Sequence, residues 1–291
     1  MGIAPSITTR TRVVLCLLAL VLFPVVFQAR GFAAGEDASY LADRGTGIPT
    51  SMFGSYIRRG DFLFYPFYEY YYDKKTEYAP EDFGYTGSKT YKAKSWAHEG
   101  LIYVAYGFTD WLMVEMEAAV ISQRQYKSDR DISAMPDSIR ESGIGDVEGQ
   151  VRWRWFGETD VRPELFSYVE TVGPTQKSGD VLIGTPDWEF KFGAGVIKGF
   201  GFGTLTLRAS FEYLKETNKF ESGEYAVEYL KKISNTVRVF LGVEGSQDEV
   251  SVIPEIQVYL RENIYLKLNC GFGITPAATD IAPEAGIMFV L

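Results

Sequence analysis

The chain has 291 residues, with 29 basic and 38 acidic side chains and a formal charge of −9. An acidic balance of that size excludes a nucleic-acid-binding protein, which needs a basic footprint. One histidine, His98, and two cysteines, Cys16 and Cys270, leave too few soft ligands for a histidine–cysteine metal site.

Arg10 and Arg12 open the chain ahead of an apolar run from Val13 to Phe27. At about fifteen residues the run is short for a spanning helix, which needs about twenty, and suits the core of a secretory signal. Small residues follow at Ala29, Gly31, Ala33, Ala34 and Gly35. Residues 1–35 therefore read as a signal peptide cleaved after Gly35, with Gly31 and Ala33 as other possible sites and an uncleaved anchor as the alternative. Cys16 lies inside the apolar run and is not an acylation site. Without Arg10, Arg12 and Arg30, 26 bases face 38 acids, a balance of −12. Only Cys270 would then remain, so no internal disulfide is expected.

Residues 36–60 lack strand periodicity, and Gly45-Thr46-Gly47-Ile48-Pro49-Thr50 reads as a loop. This segment is either a tether on the periplasmic side or a plug that enters the lumen, and a tether is the simpler reading.

From Phe62 onward the chain alternates with a period of two. Val147-Glu148-Gly149-Gln150-Val151-Arg152-Trp153-Arg154-Trp155 has apolar or glycine residues at odd positions and charged or amide residues at even ones. Successive strand side chains point to opposite faces, so such a strand has one greasy and one charged face. The pattern returns in 205–213 and 237–244. Twelve strands are predicted, at 62–72, 94–107, 111–121, 146–156, 163–173, 187–198, 203–214, 224–232, 236–245, 250–260, 263–273 and 281–291. Short connections such as Phe108-Thr109-Asp110 alternate with long ones at 73–93, 122–145 and 174–186. Short turns on the periplasmic side and long loops outside mark bacterial outer-membrane barrels. The expected fold is all-β: a transmembrane antiparallel up-and-down β-barrel of about 12 strands, of outer-membrane type, over residues 61–291. The 19 Tyr and 20 Phe residues suit interfacial girdles. The ending Ile287-Met288-Phe289-Val290-Leu291 partly matches the terminal strand that the barrel-assembly machinery recognises.

The period assigns faces. Acids Glu69, Glu99, Glu115, Glu117, Glu148, Glu164, Glu170, Glu189, Glu212, Glu228, Glu244, Glu255 and Glu284 turn inward. So do the bases Arg152, Arg154, Lys191, Arg208, Arg238 and Lys267. The candidate lumen-lining residues are Glu115, Glu117, Glu148, Arg152, Arg154, Glu170, Lys191, Arg208, Glu212, Arg238, Glu244, Glu255 and Lys267. Leu112, Val114, Val151, Trp153, Leu205, Leu207, Val237, Val239, Leu266 and Leu268 face lipid. Two readings of the lumen stay open. Paired charges can fill a narrow barrel, or the acid excess can set a negative field along a water-filled path that favours cations. Interior Phe166, Tyr168, Phe240 and Tyr259 are lining or filler.

Catalytic patterns are scarce. Outer-membrane phospholipase A needs His-x-Ser on one strand, whereas Gly100 stands two residues after His98, which itself turns to lipid. No enzyme and no cofactor are expected. Loop acids Asp129, Asp131, Asp137, Asp180 and Asp187 match no calcium-loop spacing and read as solvated charge. Gly143-Ile144-Gly145-Asp146 precedes a strand rather than a helix, so it is not a nucleotide loop.

Local patterns in order resemble a known family. They are Gly143-Ile144-Gly145-Asp146 leading to Arg152-Trp153-Arg154-Trp155-Phe156, Pro163-Glu164-Leu165 with Val172-Gly173-Pro174-Thr175 and Gly179-Asp180, and Tyr106-Gly107-Phe108-Thr109-Asp110. Pro49-Thr50-Ser51-Met52-Phe53-Gly54 and Tyr65-Pro66-Phe67-Tyr68-Glu69-Tyr70-Tyr71 add to them. Over residues 45–291 the chain resembles the outer-membrane MetA-pathway of phenol degradation family of transporters. The resemblance implies an outer-membrane barrel that takes up small aromatic or hydrophobic compounds, and it supplies no catalytic residues. The expected function is a passive channel for a small-molecule permeant. A closed structural or surface-interaction barrel is the alternative, and a lipid-modifying enzyme is a third. Expected partners are outer-membrane lipid and lipopolysaccharide and the assembly machinery.

Overall fold

Alternation over more than two hundred residues leaves each strand with a polar face to hide and an apolar face to expose, and a closed barrel serves both. The computed structural model describes residues 38–177, 179–215 and 218–291. The signal-peptide reading of residues 1–35 lies outside them. A small ribbon comes first, pairing β1 (Ile48–Pro49) with β2 (Tyr56–Ile57). Twelve longer strands follow: β3 (Phe62–Tyr78), β4 (Tyr91–Gly107), β5 (Leu112–Tyr126), β6 (Ser138–Phe156), β7 (Glu164–Gly173), β8 (Glu189–Phe200), β9 (Gly203–Leu214), β10 (Lys219–Lys232), β11 (Val237–Ser246), β12 (Glu249–Arg261), β13 (Ile264–Gly273) and β14 (Ile281–Val290).

Each of these strands pairs antiparallel with its chain neighbour, and β14 pairs back onto β3. Phe62 and Leu291 lock the seam by exchanging two backbone hydrogen bonds of 2.8 Å. The closed barrel has no edge, so it presents no open row of unpaired strand amides. The fold is a 12-strand, all-antiparallel, up-and-down barrel of outer-membrane type.

Outward Val196, Leu207, Val227, Leu241, Ile256 and Leu268 form an exposed apolar belt. Inward Tyr65, Tyr103, Met113, Phe166, Tyr168 and Met288 are fully buried. Bulky inward rings need room across the interior face. Gly193 and Gly195 of β8 provide it, because a Cβ at either position would collide with the Tyr168 or Phe166 ring.

The strands of the long-loop side run further than their alternation predicts. Residues 73–78, 91–93, 122–126 and 138–145 are strand, not loop, so β3 to β6 rise as a tall wall of 15 to 19 residues each. Bulges explain the difference. Pairing slips between Asp73 and Thr76 and between Ala118 and Val120, which flips the period mid-strand and hides it from a sequence scan. A third slip between Ser222 and Tyr225 hides the first residues of β10. A strand also needs only about 9–11 residues to span lipid, and beyond that height neither face must be apolar.

The belt makes a direct prediction. Leu207 lies opposite Val196 and Val227, well inside the apolar surface. Leu207→Arg is expected to cost about 2–4 kcal/mol and to abolish heat-modifiable gel migration of the refolded barrel. Arginine at Val239 should be milder, since Val239 is opposite Lys231 near the short-turn end. Equal loss at both positions would contradict this depth assignment.

Candidate functional site

Residues 43–57 lie inside the barrel. An irregular segment in such a place carries carbonyl and amide groups with few backbone partners, and inward side chains satisfy them. Arg152 Nη1 donates to the carbonyls of Pro49 and Thr50 at 3.2 and 3.0 Å. Arg154 Nη2 donates to the Thr46 carbonyl at 3.2 Å and to that of Gly47. Lys267 Nζ reaches the Phe53 carbonyl at 3.0 Å, and Gln257 Nε2 that of Gly54 at 3.5 Å. The Ser51 amide donates to Glu115 at 3.1 Å. Tyr265 bonds the Ser55 hydroxyl at 3.2 Å. Anchors on β5, β6, β12 and β13 thus hold one short strap.

Its base is latched by charge. Arg44 Nη2 sits 3.0 Å from Glu158 and 2.8 Å from Glu164, with all three side chains buried. Glu158 also accepts from Lys198 at 2.9 Å and from the Gly199 amide at 2.7 Å. Asp43 accepts from the Lys232 amide at 2.9 Å. Arg154 Nε lies 3.0 Å from the other oxygen of Glu164. Beside the strap, a cleft of about 310 Å³ opens between Thr46, Ile48, Ile57, Arg58, Asp110 and Arg154.

Beyond the tip of the strap the interior divides electrically. On one side the charges are paired. Arg208 contacts Glu228, Glu224 and Glu244 at 2.9, 3.2 and 2.8 Å, and its guanidinium covers the Phe53 ring. Lys191 bridges Glu170 at 2.9 Å and Glu224 at 2.5 Å, with Glu212 opposite it in register. Glu255 takes Gln257 at 2.7 Å, Asn269 at 3.2 Å and Lys267 at 3.4 Å. Arg152 lies 3.6 Å from Glu115 and over the Tyr168 ring. Arg238 covers the Tyr259 ring, and Phe53 stacks on Phe240 at 5.3 Å.

On the other side the acids stand together. Glu284 is opposite Glu69, Glu69 opposite Glu99, and Glu117 opposite Glu148. Among the described residues no base forms an ion pair with any of these five. Tyr65 donates to Glu284, and Tyr103 to Glu115. A small cavity between the strap and this acidic wall is lined by Ser51, Tyr103, Glu115, Glu117, Glu148 and Glu170. On the long-loop side, residues 181–185 lean onto the inner face of β6: the Val181 and Leu182 amides donate to Glu141, and the Thr185 amide to Asp146.

Three contributors escape the sequence pattern. Arg44 and Glu158 lie in a segment and a turn without periodicity, and Glu224 sits at the bulge that begins the regular part of β10. Its even number, shared with Glu228, was the available signal. His98 is on the outer face, sharing a 2.5 Å hydrogen bond with Tyr68.

No family model and no curated protein matches the sequence. Among solved structures the fold is similar to an outer membrane channel from Pseudomonas putida F1, with a TM-score of 0.60 and 14% identity over 84% of this chain and 100% of that one. The translocator domain of the autotransporter NalP from Neisseria meningitidis gives 0.47 and 9%, over 80% and 89%. Salmonella typhi OmpF in complex with daunomycin gives 0.32 and 8%, over 79% and 97%. At 14% identity the first likeness speaks for the fold alone.

The latch is testable. Removing one partner from a buried charge cluster strands the others at about 3–5 kcal/mol. In Arg44→Met, chymotrypsin should cut at Phe53 or Tyr56 much faster than in the parent, while the barrel stays heat-modifiable. An unchanged cleavage rate would mean that Arg44 does not hold the strap.

Proposed function

We propose that this chain is an outer-membrane channel through which small molecules pass down their gradients, and that residues 43–57 hold it closed from the periplasmic side. The observation that carries the reading is the strap itself, whose carbonyls are bonded by Arg152, Arg154 and Lys267. A barrel with no path to regulate has no need of a polar segment in its lumen; apolar side chains fill a closed interior at lower desolvation cost. The unpaired wall of Glu69, Glu99, Glu117, Glu148 and Glu284 supports a preference for cationic and neutral permeants over anions. Tyr65, Tyr71 and Tyr103 share that wall. They fit the small aromatic compounds that the resemblance to the MetA-pathway of phenol degradation family implies. The signal-like N-terminus and apolar belt support an outer-membrane address, and the short turns support a periplasmic position for the strap.

The extent of strap burial favours a second reading, a permanently closed barrel that acts through its loops. Planar-bilayer recording separates the two. The chain from residue 36 should show little conductance, and deletion of residues 38–57 should yield steady, cation-favouring current. Glu117→Gln with Glu148→Gln in the deletion background should lower the cation preference. A deletion variant that folds yet stays silent would sink the channel reading and leave the closed barrel.

A further inference from the structure

The outer face of the tall wall carries a feature that a channel does not use. Register pairing arranges the outward side chains of β4, β5 and β6 in rungs. Gly100, Val120 and Ile144 form one rung of the apolar belt. Above it come His98, Ser122 and Ser142, then Trp96, Arg124 and Arg140. At the top Tyr126 lies opposite Ser138, with the exposed Lys94 on the neighbouring strand. From Val120 to Arg124 is about 13 Å along the strand, at about 3.3 Å per residue. The sequence of zones from lipid outward is therefore aliphatic, then hydroxyl and imidazole, then basic and aromatic.

Arg124 and Arg140 stand directly opposite each other on one face. Like charges in that position repel and destabilise the pair unless an anion lies between them. No acid of the wall does so. Glu77 is engaged by Lys92 at 2.6 Å, and Glu141 is turned to the inner face by the Val181 and Leu182 amides. Among the described residues Lys94, Arg124 and Arg140 form no ion pair. Arg124 reaches only the Tyr126 hydroxyl, at 3.4 Å, and its buried Nε hydrogen has no acceptor. The Arg124 guanidinium lies over the Tyr126 ring, 5.5 Å from its centroid, with Trp96 in the same rung. This basic patch belongs to a chain of net charge −9, so it is not a sample of the average surface.

We propose that Lys94, Arg124 and Arg140 bind the phosphate of an outer-leaflet glycolipid of the lipopolysaccharide class, with Trp96 and Tyr126 against its sugar. Two guanidiniums facing each other suit bidentate capture of a phosphate. The aliphatic rung of Val120 and Ile144 below them lies where the acyl chains of that lipid begin. The proposal rests on the outer-membrane placement of the barrel and does not require the channel to conduct.

The test uses the chain from residue 36, refolded in zwitterionic detergent, with heat-modifiable migration as the fold control. Bis-phosphorylated lipid A in mixed micelles should bind and raise the melting temperature, and dephosphorylated lipid A should not. The double variant Arg124→Gln, Arg140→Gln should lose about tenfold or more in affinity, the scale of one or two charge-assisted hydrogen bonds. Its current after deletion of residues 38–57 should be unaltered. Arg140→Gln alone, at an exposed position, covers the case in which the double variant fails to fold. Equal binding of the dephosphorylated lipid, or undiminished binding by the folded variants, would overturn the proposal. Equal protection by inorganic phosphate would assign the patch to a free anion and overturn the lipid. Absence of current with lipid binding intact would count against the channel reading only.

Discussion

Backbone groups that cannot reach water must find partners within the chain, and this constraint organises the molecule twice. In the wall it forces closure, since one open edge would leave a row of bare amides in hydrocarbon. The β14–β3 seam and the paired hydrogen bonds of Phe62 and Leu291 meet that demand. In the lumen it reappears, because the strap brings carbonyls inside the barrel, where Ile48, Thr50 and Ile57 are buried. Arg152, Arg154, Lys267 and Gln257 act there as surrogate strand partners, each supplying N–H groups where no neighbouring backbone can.

This accounts for how the interior charges are spent. Bases near the strap do two jobs, holding a carboxylate with one edge and a carbonyl with another, as Arg152 does with Glu115 and Thr50. Bases further along, Arg208 and Lys191, gather several acids each. Among the described residues no base pairs with the inward Glu69, Glu99, Glu117, Glu148 or Glu284, so acid excess collects on that side. The electrical asymmetry of the lumen thus follows from where the strap demands cations.

The barrel was legible because lipid outside and polar groups inside impose a period of two, as Val151 and Arg152 illustrate on β6. The height of the wall was not, since extra residues between Asp73 and Thr76 of β3 and between Ile144 and Val147 of β6 reverse the phase within those strands. The strap was half legible: residues 36–60 read as a tether or a plug, and the pattern did not choose between them. Its contacts run through main-chain carbonyls at Thr46, Pro49, Thr50 and Phe53, and a carbonyl is the same in every residue. No side-chain pattern records that a neighbouring arginine will meet it. Arg44 was visible as a charge but not as a latch, because Glu158 and Glu164 lie more than a hundred residues away.

The way the strap is attached has a mechanical consequence. Its carbonyls are moored to separate strands around the interior, while its chain leads out past Asp43 and Arg44 on one side. A pull along the chain from that side loads the Arg44 latch first, then the Arg154 bonds at Thr46 and Gly47, then Arg152 at Pro49 and Thr50. The bonds therefore peel in series, each breaking before the next bears load, and the peak force is that of one mooring. Pressure from the opposite mouth loads all the moorings together in shear. The strap is thus weak to a tug from its own end and strong against a push from the other, which makes its attachment directional.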